Sequence, residues 1–188
     1  MRIVTYPHPA LRYESRPLAR IDGELRAKVR AMFELMYEAR GIGLAANQVA
    51  LPYRFFILNL TADPEQKDQE RVFINPEIGK RYSSIEDEEG CLSLPGLYAK
   101  VRRARKIKVR AFDLEGNPVE VDAEDLLSRA IQHETDHLSG RLFIDYLGPP
   151  ARNAVAAKLR EFETKFREAQ AAGEFPDDDE IKRQLDGL

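Results

Sequence analysis

The chain has 188 residues, 43% hydrophobic and 32% charged, with a net charge of −3. That length supports one core-forming domain with at most an added tail, and the near balance of charge removes any general demand for a nucleic-acid or anionic-membrane partner. A single cysteine excludes an internal disulfide framework, and no apolar run approaches the roughly 18–20 residues of a membrane span.

The start, Met1-Arg2-Ile3-Val4-Thr5-Tyr6-Pro7, lacks the apolar block of a signal peptide, so a cytoplasmic protein is expected. Residues 22–40 predict a first helix. Asp22 can cap it, and Leu25, Val29, Met32, Phe33, Met36 and Ala39 recur at helical spacing. Gly41 stops it and opens a small-residue loop running to Gln48. Residues 53–60 predict a strand around Phe55-Phe56-Ile57-Leu58, and a polar connection follows at 61–70. A second strand is expected at 71–75, closed by Pro76, and 78–85 is weakly strand-like. Residues 98–112 alternate, with Val101, Ile107, Val109 and Ala111 set against Arg102, Lys106, Lys108 and Arg110. Leu114-Glu115-Gly116-Asn117 then forms a hairpin turn into Val119 and Val121.

Residues 123–138 predict a second helix. Leu126, Leu127, Ala130, Ile131, Glu134 and His137 fall near one face, and Gly140 ends it. Pro149-Pro150 breaks the chain before a third helix at 151–172. Residues 175–188 hold Pro176 and an acidic run from Asp177 to Glu180, the composition of a flexible tail. Together these elements predict an α+β fold, with antiparallel β-sheets packed around the 123–138 helix. The expected division is a catalytic domain at 1–150 and a C-terminal helix with its tail at 151–188.

The chemistry concentrates in three segments. In His133-Glu134-Thr135-Asp136-His137, two histidines four residues apart share one helix face. Both imidazoles can bind one metal ion while the glutamate reaches a water beside it. Chance histidines on a solvated helix are the bland alternative, but the apolar flanks Ile131 and Leu138 bury this stretch, where unpaired polar groups are costly.

The second segment is Glu88-Glu89-Gly90-Cys91-Leu92-Ser93-Leu94-Pro95. A lone cysteine is more often a small buried apolar residue than a ligand. Here it follows a glycine in a polar segment, and a thiolate with two imidazoles is a recognised three-ligand set for a catalytic metal. The third segment, Gly41-Ile42-Gly43-Leu44-Ala45-Ala46-Asn47-Gln48, fails as a phosphate loop. It follows a helix and lacks both the third glycine and the lysine. It offers instead a tight turn, or a bare backbone with the Gln48 amide as a donor.

Together the three segments resemble the peptide deformylase family. That family is marked by Gly-x-Gly-Leu-Ala-Ala-x-Gln, Glu-Gly-Cys-Leu-Ser and Gln-His-Glu-x-Asp-His-Leu-x-Gly. These stand here at 41–48, 89–93 and 132–140, in order and complete at every fixed position. The resemblance implies a hydrolase that removes the N-formyl group from the formyl-methionine of new chains and releases formate. It implies Cys91, His133 and His137 as metal ligands, with ferrous iron in the cell and zinc, nickel or cobalt tolerated. It assigns Glu134 as general base and then acid, and Gln48 with the Leu92 N–H as oxyanion donors. Substrate backbone would pair around Ile42, Gly43 and Gly90, and the methionine would enter a pocket near Ile42, Leu126 and His133.

Arg129 stands where many relatives carry an apolar residue. It is expected at the pocket mouth, its stem packed and its head in solvent. Asp136 points off the ligand face, toward either a salt bridge in the fold or a role behind the ligands. His8 is read as a structural loop residue, and Ser93 has no histidine to serve as its base. The resemblance also raises a transient ribosome contact through the 151–172 helix, whose mixed charges otherwise describe a solvated face. The rival readings are a zinc-type metallopeptidase, a cysteine hydrolase using Cys91, and a purely structural metal.

Overall fold

Phe55, Phe56, Ile57 and Leu58 are all buried, so the strand they form must be covered on both faces. The computed structural model describes residues 1–188 and supplies that cover. Its elements in chain order are α1 (Gly23–Glu38), β1 (Gly43–Ala45), β2 (Phe55–Leu58), β3 (Arg71–Tyr82), β4 (Ile85–Gly90), β5 (Tyr98–Arg103), β6 (Lys106–Phe112), β7 (Pro118–Glu124), α2 (Asp125–Leu138), α3 (Pro149–Ala171) and α4 (Asp178–Gly187). The strands make a five-stranded antiparallel sheet, β1-β2-β3-β6-β7, and a separate antiparallel ribbon, β4-β5. The fold is α+β, as expected.

Alternation along β2 divides the core. Phe55 and Ile57 join Val29, Met32 and Met36 of α1 on one face of the sheet. Phe56 and Leu58 join Ala130, Ile131 and Leu138 of α2 on the other. Asp22 caps α1 by accepting the Leu25 N–H at 3.0 Å. α2 is stopped just before Gly140, whose φ of +65° suits a residue without a side chain. A Cβ there would lie 2.6 Å from the Arg12 carbonyl oxygen.

Four expectations need correction. Pro76 does not close the second strand. β3 runs through it because the pairing with β6 slips between Ile74 and Glu77, and such an irregularity accommodates a residue with no N–H. The single strand expected at 98–112 is two strands in different sheets. At the break the Ala104 N–H donates to Gln132 Oε1 at 3.1 Å, and its carbonyl accepts from Ser128 Oγ and Gln132 Nε2, both at 2.9 Å. α3 starts at Pro149 rather than after it, since the first turn of a helix has no use for those N–H groups.

Lastly, the acidic tail contains a helix, α4. Asp177 accepts the Glu180 N–H at 2.8 Å, and the acidic first turn complements the helix dipole. Ile181 and Leu185, one turn apart, are buried in a core shared with Val4, Leu11, Phe143, Val155 and Phe166. Burial of both residues holds this segment on the body where a polar tail would stay in solvent. No helix is long and apolar enough to cross a membrane.

Candidate metal centre and active site

His133 and His137 lie one turn apart on α2, and their Nε2 atoms approach to 3.3 Å. The Cys91 thiol, just past the end of β4, lies 3.3 Å from His137 Nε2. One donor atom from each of the three residues falls within 4.8 Å of the others. Tetrahedral bonding at about 2.1 Å to nitrogen and 2.3 Å to sulfur sets donor atoms about 3.4–3.7 Å apart, so these residues fit a single ion of that kind. The fit extends to the proton positions. Glu89 Oε2 lies 3.0 Å from His133 Nδ1, which fixes the ring and leaves Nε2 for the ion.

Burial and the neighbouring charges of His133 and Arg103 hold His137 well below its ordinary pKa, in the neutral form a ligand needs. Burial also opposes charge on His133, but Cys91 and Glu89, flanking its ring, raise it. Burial pushes the Glu89 carboxyl upward, yet hydrogen bonds from His133 and Arg103 hold it far below the usual carboxylate range.

Glu134 follows the first histidine and is buried, with no partner for Oε2. Its pKa is pushed up to about 7, by burial first, with His133 opposing and Glu89 reinforcing. Gly43 makes room for it, since a Cβ there would lie 2.5 Å from Glu134 Oε1. The Gln48 amide is held from both ends. Its Oε1 accepts the Ala45 N–H at 2.8 Å, and its Nε2 donates to Ser93 Oγ at 3.1 Å and faces Cys91 Sγ at 3.5 Å. Ser93 is thereby engaged as an acceptor. No backbone carbonyl takes the Leu92 N–H.

These groups meet in one cleft of about 650 Å³. Ile42, Gly43, Gln48, Gly90, Cys91 and Leu92 line it, as do Leu126, Arg129, His133 and Glu134. His137 lies beneath, 1% exposed. Every residue singled out as catalytic or substrate-binding from the sequence thus borders the same space.

A model of the polypeptide deformylase family matches residues 1–153. The chain belongs to the polypeptide deformylase family. It is 39% identical over 184 residues to a peptide deformylase of Rhodopirellula baltica, covering 98% of this chain and 91% of that protein. It is 47% identical over 161 residues to one from Acidobacterium capsulatum, covering 86% and 94%. The crystal structure of the Plasmodium falciparum peptide deformylase superposes with a TM-score of 0.85 at 37% identity, covering 90% of this chain and 98% of that one.

As a deformylase the chain is an enzyme, and its site has parts that the sequence reading left without a role. Glu89 and Arg103 sit behind the Cys91, His133 and His137 cluster. Arg103 Nε and Nη2 donate to Glu89 at 2.8 and 3.0 Å, and its Nη1 pairs with Asp136. A signal was present: Arg103 shares a strand face with buried Val101, where an arginine needs carboxylate partners. Asp136 takes the salt-bridge role in this deformylase and also accepts from the Tyr146 hydroxyl at 2.9 Å. His8 is a structural residue that accepts the Ala10 N–H at 3.2 Å. Arg129 departs from expectation, because its head is not in solvent. The residue is 7% exposed and its guanidinium bonds to Glu89 at 2.7 Å.

Proposed function

We propose that this deformylase works on the N-formyl-methionine of newly made chains through Cys91, His133, His137, Glu134, Gln48 and Leu92. The reaction is hydrolysis of the formyl amide, giving formate and a free amino-terminal methionine. Cys91, His133 and His137 would hold the ion, which supplies a Lewis acid for the formyl carbonyl and acidifies water. Ferrous iron is the ion we assign in the cell, with zinc, nickel or cobalt as replacements in purified protein. A thiolate with two imidazoles supports a borderline transition metal over magnesium or calcium.

Glu134 takes the proton of the attacking water and passes it to the leaving amine. The observation that carries this reading is its buried Oε2, unpartnered beside the three converging donors. Its raised pKa supports both halves of the transfer, because a group near neutrality accepts and returns a proton at similar cost. The Gln48 amide and Leu92 N–H donate to the carbonyl oxygen as it gains charge.

Open strand edges support a peptide that lies extended. β1 is an edge of its sheet, and Ile42, Gly43 and Gly90 are backbone at the cleft wall. Such pairing reads main chain, which suits an enzyme serving many sequences. Ile42, Leu126, His133 and the Arg129 stem form the wall for the methionine side chain. A cytoplasmic place of work follows from this substrate.

The outermost part of the proposal is a transient ribosome contact through the charged face of α3. Its test needs charge reversal at exposed positions such as Arg160 and Lys165, because Val155 and Phe166 on the same helix belong to the core. Unchanged co-sedimentation with ribosomes would sink that part alone. The function itself is tested by formate release from an N-formyl-methionyl peptide, on anaerobically prepared protein with metal analysis of the same sample. A chelator should abolish release, and ferrous or nickel ion should restore it. Chelator-resistant turnover would overturn the reading.

A further inference from the structure

Arg129 stands at a junction that the catalytic reading does not use. It lies one turn before His133 on α2 and reaches the β4-β5 ribbon at four points. Nη1 donates to Glu89 Oε1 at 2.7 Å, to the Val101 carbonyl at 2.9 Å and, at the longer distance of 3.5 Å, to the Asp87 carbonyl, and Nη2 donates to the Ile85 carbonyl at 3.2 Å. Neutralising Glu89 does not require this, since Arg103 already pairs with that carboxylate through two nitrogens. Three of the four acceptors are main-chain carbonyls, those of Ile85 and Asp87 on β4 and that of Val101 on β5. A planar guanidinium with its fork filled on both strands fixes geometry as well as charge.

Helix and ribbon each bring part of the metal site. The ribbon leads into Cys91, two residues after Glu89, while α2 brings both histidines. No strand pairing joins the ribbon to the five-stranded sheet. The spacing of thiol and imidazoles therefore depends on side-chain links between ribbon and helix. Arg103 supplies one, from β5 to Asp136 on α2, and His133 with Glu89 supplies another. Arg129 is the link made to the backbone of both strands at once.

We propose that Arg129 is a positioning residue, a clamp between the β4-β5 ribbon and α2 that holds the Cys91 thiolate in register with His133 and His137 and so governs retention of the ion. This rests on the reading of those three residues as ligands. Groups behind a metal's ligands commonly change its affinity 10–100-fold when lost.

The test compares cobalt-loaded wild type with Arg129→Met, which keeps an apolar stem and removes all four hydrogen bonds. The variant should bind one cobalt per chain. Its visible thiolate and d–d bands should shift, and a chelator should strip its cobalt at least about tenfold faster than from wild type. KM for an N-formyl-methionyl peptide should stay within about twofold while kcat falls, because the stem still lines the cleft. Arg129→Ala should add a rise in KM. Folded Arg129→Met with unchanged bands and an unchanged rate of cobalt loss overturns the clamp. If Arg129→Met does not fold, Arg129→Gln takes its place, and cobalt loss from it at the wild-type rate overturns the clamp equally. Wild type without a thiolate–cobalt band sinks the ligand reading, whereas a normal wild-type band with an unaffected variant sinks only the role of Arg129.

Discussion

The cleft and the C-terminal arm bury their side chains to different ends. Around the cleft the buried groups are polar: Glu89, Arg103, Arg129, Gln132, Glu134 and the two histidines. Under α3 and α4 they are apolar apart from His8: Val155, Phe166, Ile181 and Leu185, packed with Val4, Leu11 and Phe143. Burying the Glu134 carboxylate with one oxygen unpartnered costs stability and raises its pKa toward the range where it can move a proton. The arm carries no such group and contributes cohesion. Rate and stability therefore reside in different places, and substitutions should separate them.

Glu134→Gln should produce the largest effect on the cleft side. Removing a general base typically costs about 10²–10⁴ in rate. Formate release should fall by that order while bound metal per chain and melting temperature hold or rise, since a neutral amide suits the buried site better. A variant that loses its metal yet keeps its rate per bound ion would show Glu134 to be structural, and the separation would fail at its centre.

Phe166→Ala asks the converse question. Phe166 is 5% exposed and lies edge-on to His8 at 5.7 Å and against Phe175 at 5.3 Å between ring centres. Truncating a buried phenylalanine costs about 3–5 kcal/mol. Urea unfolding should report a loss of that size, with kcat/KM per folded molecule unchanged. A matching fall in kcat/KM would mean that the arm supports the cleft directly.

Gln48→Ala is a smaller step back toward chemistry. Loss of one oxyanion donor costs about a hundredfold or more in kcat. The same change frees the Ala45 N–H and Ser93 Oγ from their partner. Gln48→Glu, which keeps the acceptor for Ala45 and loses the amide donor, isolates the catalytic share. Equal kcat for Gln48→Glu and wild type would remove the oxyanion role.

The two regions were also unequally legible in the sequence. His133, His137 and Cys91 stood out as candidate metal ligands because few residue types at such spacing suit an ion, while the roles of Glu134 and Gln48 came from the resemblance to the deformylase family. The α1 helix announced itself by periodicity and the β2 core strand by its unbroken apolar run. The break at Ala104 did not, because its cause is a tie to Ser128 and Gln132, 24 and 28 residues away. Glu89 and Arg103 went without roles because the position of Arg103 beside Val101 signals only that a carboxylate is needed, and which carboxylate answers it shows only when both strands of the ribbon are aligned. The α4 helix hid behind its acidic start. Asp177 as cap and Ile181 with Leu185 at helical spacing were readable signals. Two apolar residues in ten do not reveal a docking surface, and that surface lies near Pro9–Arg12, at the other end of the chain.

The smallest expected effect lies where the N-terminal residues meet the arm, and it is a test by pH. His8 packs edge-on against Phe166 and Phe175 at 5.7 and 5.5 Å, and its pKa is lowered to about 4, by burial first and by the Arg2 charge second, with Asp178 opposing. In the unfolded chain the ring titrates near its ordinary value of about 6.5. Between those values the unfolded state binds the proton and the folded state does not, so stability falls as pH drops from about 6.5 toward 4. Below that the folded state takes the proton as well and the loss levels off. From pH 7 to pH 5 the His8 share of this loss should be on the order of 1 kcal/mol, allowing for solvent screening at the ring. His8→Asn keeps a side-chain acceptor for the Ala10 N–H and removes the titration. Urea midpoints at the two pH values should converge more for the variant than for wild type. Equal pH dependence in both would place the acid sensitivity among the carboxylates and leave the arm indifferent to proton uptake at His8.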